Sequence, residues 1–312
     1  MSIDPARFGG VNMLMRSDQM EIEPPFADRL RQCRLDSVER VLSHVDGEIV
    51  AWSRTTDTFR VAGPGREPGF YVKRYLYPTW RKRLRSAFRG TLLGVHRAQS
   101  EYRGLRGLAQ AGVPVARAVA VGSRRVAGFV TACFLITEAV PASENLTSFA
   151  QSVAGGRRKI SSLARRKIAT ALGREVALLH ADGASHGQLF WRNIVIRLGL
   201  HETPDFFFLD VEPYSRLERV GTLRTWWRRE LAQLFASARP FASRGECVRF
   251  LRAYLDAPSL NPEQRELALE VTRLAAEHEQ HERQRIRMSG LFDGWQRQLE
   301  IEQAAPQRAA DG

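Results

Sequence analysis

The stretch His186-Gly187-Gln188-Leu189-Phe190-Trp191-Arg192-Asn193 follows a long amphipathic segment and stands directly before a short apolar run. The next apolar run ends in Phe206-Phe207-Phe208-Leu209-Asp210-Val211-Glu212. Far upstream, Lys73 sits in Tyr71-Val72-Lys73-Arg74, which reads as a strand, and Glu101 lies early in the helical pattern that follows. Phosphoryl transfer from a nucleotide needs these parts in this order. A strand lysine holds the α/β-phosphates, a helix glutamate fixes the lysine, and an asparagine and an aspartate hold magnesium against the phosphates. Each residue alone has a bland reading, since a strand lysine is ordinarily solvated and an aspartate after a strand is ordinarily a turn residue. The ordered set in matching strand and helix contexts is much harder to obtain by accident.

Working outward from Lys73, the pattern predicts three antiparallel strands: Glu48–Arg54, Thr58–Ala62 after a turn at Thr55-Thr56-Asp57, and Phe70–Leu76. A helix is expected from about Arg97 to Gln110, with Tyr102, Leu105, Leu108 and Ala109 on one face and Gly112 ending it. Val113–Val121 and Gly128–Thr137 read as two further strands. The second half is mainly helical, over Ile160–His180, Thr222–Ala238, Gly245–Leu255 and Pro262–Arg287, with short strands at Ile194–Arg197 and Phe206–Leu209. The fold class expected is α+β with two lobes: a five-stranded antiparallel sheet with one helix, then a helical lobe. The expected division is a leader and short helix over 1–46, an N-lobe over 47–140, a C-lobe over 141–303 and a disordered tail over 304–312.

At this point the chain resembles the protein-kinase-like superfamily and, within it, the lipopolysaccharide core kinases (Kdo and heptose kinases, WaaP/InaA-like). The stretches that carry the resemblance are Val72-Lys73-Arg74-Tyr75, Glu101 through Leu108-Ala109-Gln110-Ala111-Gly112-Val113-Pro114, Leu135-Ile136-Thr137-Glu138, Leu179-His180 to Asn193, and Leu209-Asp210. Arg229-Glu230-Leu231-Ala232-Gln233-Leu234 is similar to a later helix start of the family. The resemblance implies the cofactors ATP and Mg²⁺. It implies Lys73 on the α/β-phosphates paired with Glu101, a hinge from Glu138 to Val140 whose backbone meets adenine, and Asn193 and Asp210 on magnesium. His186 would hold the catalytic loop. The acceptor implied is an anionic glycolipid or its sugar, phosphorylated on a hydroxyl.

Two positions depart from the pattern. Gln188 stands where such kinases carry the catalytic-loop aspartate, and Asp210-Val211-Glu212 stands where many carry Asp-Phe-Gly. A glutamine side chain cannot take up a proton at neutral pH, and losing a general base commonly costs about 10²–10⁴-fold in rate. Phosphoryl transfer, however, draws most of its catalysis from positioning and charge neutralisation. Gln188 could orient an acceptor hydroxyl, and Glu212 is a nearby carboxylate that could serve as base. The rival reading is a pseudokinase that binds nucleotide without turnover, and Gln188 is its motivation.

Other features weigh less. Gly63-Pro64-Gly65 with Gly69 directly precedes the lysine strand, the wrong place for a phosphate-covering loop, and reads as a turn. His278 and His281 with Glu277 and Glu282 read as a solvated helix face before a metal site. Trp226-Trp227 beside Arg228-Arg229 fits either core packing or lipid headgroups. The net charge of +13 over 312 residues calls for an anionic partner. The basic runs Arg81–Arg89 and Arg157–Lys167 lack interleaved aromatics, so an anionic glycolipid or membrane surface is favoured over nucleic acid. Three scattered cysteines, Cys33, Cys133 and Cys247, form no disulfide framework, and no apolar run reaches the ~18 residues of a membrane span. The expected location is the cytoplasm, peripheral on the inner face of the inner membrane.

Overall fold

A computed structural model of the chain describes residues 16–44, 46–52, 55–77, 95–181, 183–211, 220–280 and 282–284. The basic run from Arg81 to Arg89, Glu212, His281 and the tail from 304 lie outside the described residues. The chain divides into two compact units. The first comprises Met1–Glu144, Leu178–Gln188 and Val195–Glu218, the second Asn145–Ala177, Leu189–Ile194 and Arg219–Gly312.

The strand carrying Lys73 shows how the first unit is built. Strands β1 (Arg16–Ile22), β2 (Glu48–Trp52), β3 (Thr56–Val61), β4 (Phe70–Leu76), β5 (Ala118–Val126) and β6 (Phe129–Glu138) make one sheet in the order β1-β5-β6-β4-β3-β2. All its pairings are antiparallel. Side chains alternate between the two faces of a strand. Phe70 and Val72 of β4 therefore join Phe59, Val61, Phe134 and Ile136 in a core closed by Phe26, Leu30, Leu35, Val38 and Val41. These last come from helices α1 (Ala27–Gln32) and α2 (Val38–Ser43) and the residues beside them. Lys73 and Tyr75 point to the opposite face, where both side chains meet Glu101 of helix α3 (Arg97–Gln110).

The expected antiparallel sheet with its single following helix is present, and it has a sixth strand. Residues 16–22, read from sequence as part of a leader, pair with β5 from Arg16↔Val126 to Ile22↔Ala120. Two of the three residues expected in the first turn, Thr55-Thr56-Asp57, belong instead to strand β3. Thr56 and Asp57 already pair with Tyr75 and Arg74 of β4, and the Arg74 guanidinium grips the Asp57 carboxylate at 2.8 and 2.9 Å.

Helix α3 begins at His96, whose ring Nδ1 accepts the Gln99 N–H at 3.2 Å. It ends at Gly112, whose φ of 79° lies in the left-handed region that favours glycine. The residues beyond do not enter the sheet at once. Ala116 donates to Phe208 and Phe208 to Pro114, both at 3.0 Å, with a parallel bridge between Val115 and Phe208. This ties the connection after α3 to strand β9 (Pro204–Phe208), which forms a second sheet in the order β7-β8-β9 with β7 (Ser143–Asn145) and β8 (Ile194–Leu198).

The second unit draws on α4 (Leu146–Ala154), α5 (Ser162–Ala181), α6 (Val220–Ala238), α7 (Arg244–Tyr254) and α8 (262–280). Ser243 and Glu246 form a capping box at the start of α7, and Glu246 also binds Arg165 of α5 at 2.5 and 3.0 Å. Between these helices lies an apolar cavity of about 600 Å³, bordered by Phe149, Leu172, Trp191, Leu234, Phe250 and Leu269 among others. Among the described residues, no helix is long and apolar enough to cross a membrane.

Candidate active site

Three sequence-distant side chains meet in the first unit. The Lys73 ammonium lies 3.1 Å from both carboxylate oxygens of Glu101 and also donates to Asp210 Oδ1. Strand β4 supplies the first, helix α3 the second, and the residues after β9 the third. The tie between Phe208 and the connection after α3 is what carries Asp210 there. Asp210 is held at φ 56°, a left-handed conformation in a non-glycine residue. Such local strain costs of order 1–3 kcal/mol and persists where the surroundings impose it, most often at functional sites.

The electrostatics follow from burial. Glu101 is 6% exposed, and burial pushes its carboxyl pKa up against the opposing pull of Lys73. Burial works the same way on Asp210, but the Lys73 ammonium beside it wins, and Asp210 is held below the usual carboxylate range. Asp210 is thus ionised at neutral pH, a hard oxygen donor of the kind Mg²⁺ takes. The lysine ammonium, held by two carboxylates, is of the kind that holds phosphate oxygens. Both groups therefore fit ATP and magnesium. Among the described residues, no group of three or more His, Cys, Asp and Glu is placed to hold a metal ion by itself.

Two participants escaped the sequence reading. Tyr75 donates to Glu101 Oε2 at 2.6 Å, and burial together with Glu101 drives its phenol pKa up, so it remains a donor. The available signal was the alternation of β4, which puts Tyr75 on the face of Lys73. Arg97, one helical turn before Glu101, lies with its guanidinium carbon 5.0 Å from the centre of the Tyr75 ring. Its charge is drawn toward Tyr75, Asp210 and Glu101.

His186 is fully buried, packs edge-on against Phe208 with ring centres 5.9 Å apart, and accepts the Gln188 N–H at 3.3 Å. Gln188 is therefore anchored through its backbone to the same strand that leads to Asp210. Asn193 belongs to the second unit. There it is buried, with its N–H on Phe190 O at 2.9 Å. Its loop is moored to α6 by Leu189 N–H on Gln233 Oε1 at 2.8 Å and Trp191 N–H on Ser237 Oγ at 3.3 Å. Glu282, one of the carboxylates weighed for a metal, is buried against Arg192 and Ser237, while His278 packs edge-on against Phe190.

The residues expected to form the hinge, Glu138 to Val140, lie at the end of β6. The Glu138 N–H is taken by Arg117 O at 2.9 Å and the Ala139 N–H by Gly69 O at 2.8 Å. The Val140 carbonyl accepts from Ser143 Oγ at 2.7 Å, but its N–H donates to no group among the described residues.

Residues 39–254 match the model of the lipopolysaccharide kinase (Kdo/WaaP) family. The chain belongs to that family. It is 28% identical over 242 residues to the lipopolysaccharide core heptose(I) kinase WaaP of Pseudomonas aeruginosa, covering 77% of this chain and 87% of that protein. A solved structure of WaaP in complex with acyl carrier protein superposes with a TM-score of 0.57 at 22% identity, over 85% of this chain and 98% of that one. That likeness shows a shared fold, in agreement with the kinase-like α+β class read from the residues. The family is one of kinases, and the residues carrying the resemblance from Val72 to Leu234 all fall within the matched span.

Proposed function

We propose that this chain is an ATP- and Mg²⁺-dependent kinase that phosphorylates a sugar hydroxyl of a lipopolysaccharide-core-like glycolipid. The observation that carries the reading is the Lys73–Glu101–Asp210 cluster, with its ionised and strained aspartate. ATP and magnesium supply, when bound, the phosphoryl group and the neutralisation of its charge. Lys73 holds the phosphates, and Glu101 with Tyr75 keeps Lys73 in place. Asp210 and Asn193 are the proposed metal ligands. The Val140 N–H, with the backbone at Glu138, receives adenine. Gln188 orients the acceptor hydroxyl through its amide oxygen, and Glu212 is the proposed base.

The partners follow from the relatives and the surface. The structural neighbour is WaaP with acyl carrier protein. The apolar cavity of this chain, about 600 Å³, lies within the roughly 300–1,000 Å³ of small-ligand sites and suits an acyl chain. Trp191, one of its lining residues, has an indole N–H without a hydrogen-bond partner among the described residues, which an acyl carbonyl would satisfy. An acyl-loaded carrier protein is therefore the proposed protein partner. The charge of +13 supports docking on an anionic membrane surface at the cytoplasmic face.

The test is ATP turnover by the purified chain with and without lipopolysaccharide core. Acceptor-dependent turnover lost in Lys73→Ala supports the reading. Nucleotide binding with no turnover on any core acceptor overturns it in favour of a pseudokinase.

A further inference from the structure

The cluster just described is proposed to hold the phosphate end of a nucleotide; a second ion pair in the same unit lies beside the segment proposed for the other end. Arg29, on helix α1, is 18% exposed, and its guanidinium carbon lies 5.3 Å from the Phe26 ring centre and 4.9 Å from that of Phe70. From between these rings Nη1 donates to Glu138 Oε1 at 2.6 Å and Nη2 to Pro68 O at 2.5 Å. Nε stands 3.6 Å from Glu67 Oε2. One side chain thus joins α1, the loop before β4 and the last residue of β6.

That loop contains Gly63-Pro64-Gly65 and Gly69, the glycine-rich stretch read above as a turn. Two of its glycines, Gly63 and Gly69, are demanded by packing. A Cβ on Gly69 would lie 2.3 Å from Val61 O, and one on Gly63 would lie 2.3 Å from Glu67 O and 2.4 Å from Pro68 O. The loop is therefore closed on itself, and it presents two carbonyls outward in fixed positions. Pro68 O receives Arg29, and Gly69 O receives the Ala139 N–H. With Glu138 N–H on Arg117 O, every hydrogen-bond donor before Val140 in this short segment is committed. The Val140 N–H is left to donate to a ligand.

We infer that Arg29 is a positioning residue for the adenine end of the nucleotide site: by pinning the Glu138 carboxylate to the glycine loop it fixes the segment that presents the Val140 N–H. This rests on the proposal that Glu138 to Val140 meet adenine. It gives residues 16–38, which precede the family match at 39, a place in the nucleotide site. It also explains why a carboxylate tolerates that position. Neutralised by Arg29 and turned toward α1, it does not leave a buried acceptor unpaired.

The test uses the full chain and Arg29→Met, which fills the space between the two rings without charge. Dissociation constants are measured for Mg-ATP and for inorganic tripolyphosphate, which reaches only the Lys73 end. The expected result is an ATP affinity about tenfold weaker, the equivalent of one charge-assisted hydrogen bond, with tripolyphosphate unchanged. Arg29→Lys should recover part of the loss. Equal weakening of both ligands, or an unchanged ATP affinity, overturns the inference while leaving the kinase reading intact. Failure of the unaltered chain to bind ATP overturns both. If Arg29→Met does not fold, Glu138→Gln replaces it, with the same selective loss for ATP expected and an equal loss for both ligands contradicting it.

Discussion

Two of the charge clusters in the first unit are built differently. At the sheet edge, Arg16, Asp18, Arg124 and Glu39 form a ladder of ion pairs 2.5–3.0 Å long, with Glu39 61% exposed. On the opposite flank of β4, Lys73, Glu101 and Asp210 form a cluster in which Glu101 is buried and Tyr75 donates an additional hydrogen bond. In the exposed cluster all the charges pair without strain, and its carboxylates shift only downward: Asp18, drawn by Arg124, to about 2. In the buried one burial raises Glu101, Lys73 lowers Asp210, and Asp210 sits in a left-handed conformation. Surface ladders of the first kind contribute little to stability, on the order of 0–1 kcal/mol per pair. Opposed shifts and backbone strain are features that sites of chemistry commonly share, and they support the role proposed for the second cluster.

The largest expected effect breaks the buried cluster. Asp210→Ala should lower turnover by about 10³-fold or more, because the charge of the transferring phosphoryl group loses its metal ligand. Its thermal midpoint should hold, since Lys73 keeps Glu101 as a partner and Glu101 is freed of the neighbouring Asp210 charge. Loss of activity together with a fall in stability would make the cluster merely structural.

Next is pH. His96 caps the helix that bears Glu101, and burial, with Arg125 and Arg103 nearby, pushes its pKa down from 6.5 to about 4. Between those two values the unfolded chain binds a proton that the folded chain refuses. The stabilisation is therefore whole above about pH 6.5 and declines as pH falls toward 4, by about 3 kcal/mol in total. Denaturant titrations across that range measure it, and His96→Asn, which caps without titrating, should flatten the slope. A slope unchanged by that substitution would move the effect to other groups.

A smaller change is expected at Gln188. Gln188→Ala should cost well under the roughly 10² that accompanies loss of a general base, because no proton passes to an amide. Steady-state rates with core acceptor check it, and a loss as large as that of Asp210→Ala would contradict the role given to Gln188.

The smallest effect belongs to the exposed ladder. Arg124→Ala should cost less than about 1 kcal/mol, and less again in high salt, with turnover unchanged. The part of the ladder due to Asp18 is present above about pH 3.8 and is lost as pH falls through about 2. A loss of activity in Arg124→Ala would erase the distinction between the clusters.

What the sequence revealed divides along similar lines. Phe70–Leu76 and Arg97–Gln110 were legible to the residue, because alternation and helical periodicity are local signals and both elements have one buried face. The order of Lys73, Glu101 and Asp210 was legible because the chemistry constrains residue type and context together. Strand β1 was not, since Arg16–Ile22 is almost wholly exposed and owes its form to pairing with β5, a hundred residues away by roughly the span from Ile22 to Ala120. Asp57 was misread as a turn residue because its partner, Arg74, is known only once β3 and β4 are in register. Arg29 was invisible for the same reason: nothing near it in sequence names Glu138.

The most direct measurement is transfer of the labelled γ-phosphate of ATP to isolated lipopolysaccharide core by the purified chain and by Lys73→Met. Magnesium-dependent label on the core is expected with the unaltered chain, and a loss of about 10²–10³-fold or more in the variant. Label that transfers equally with Lys73→Met, or a folded, ATP-binding chain that never labels the core, would contradict it.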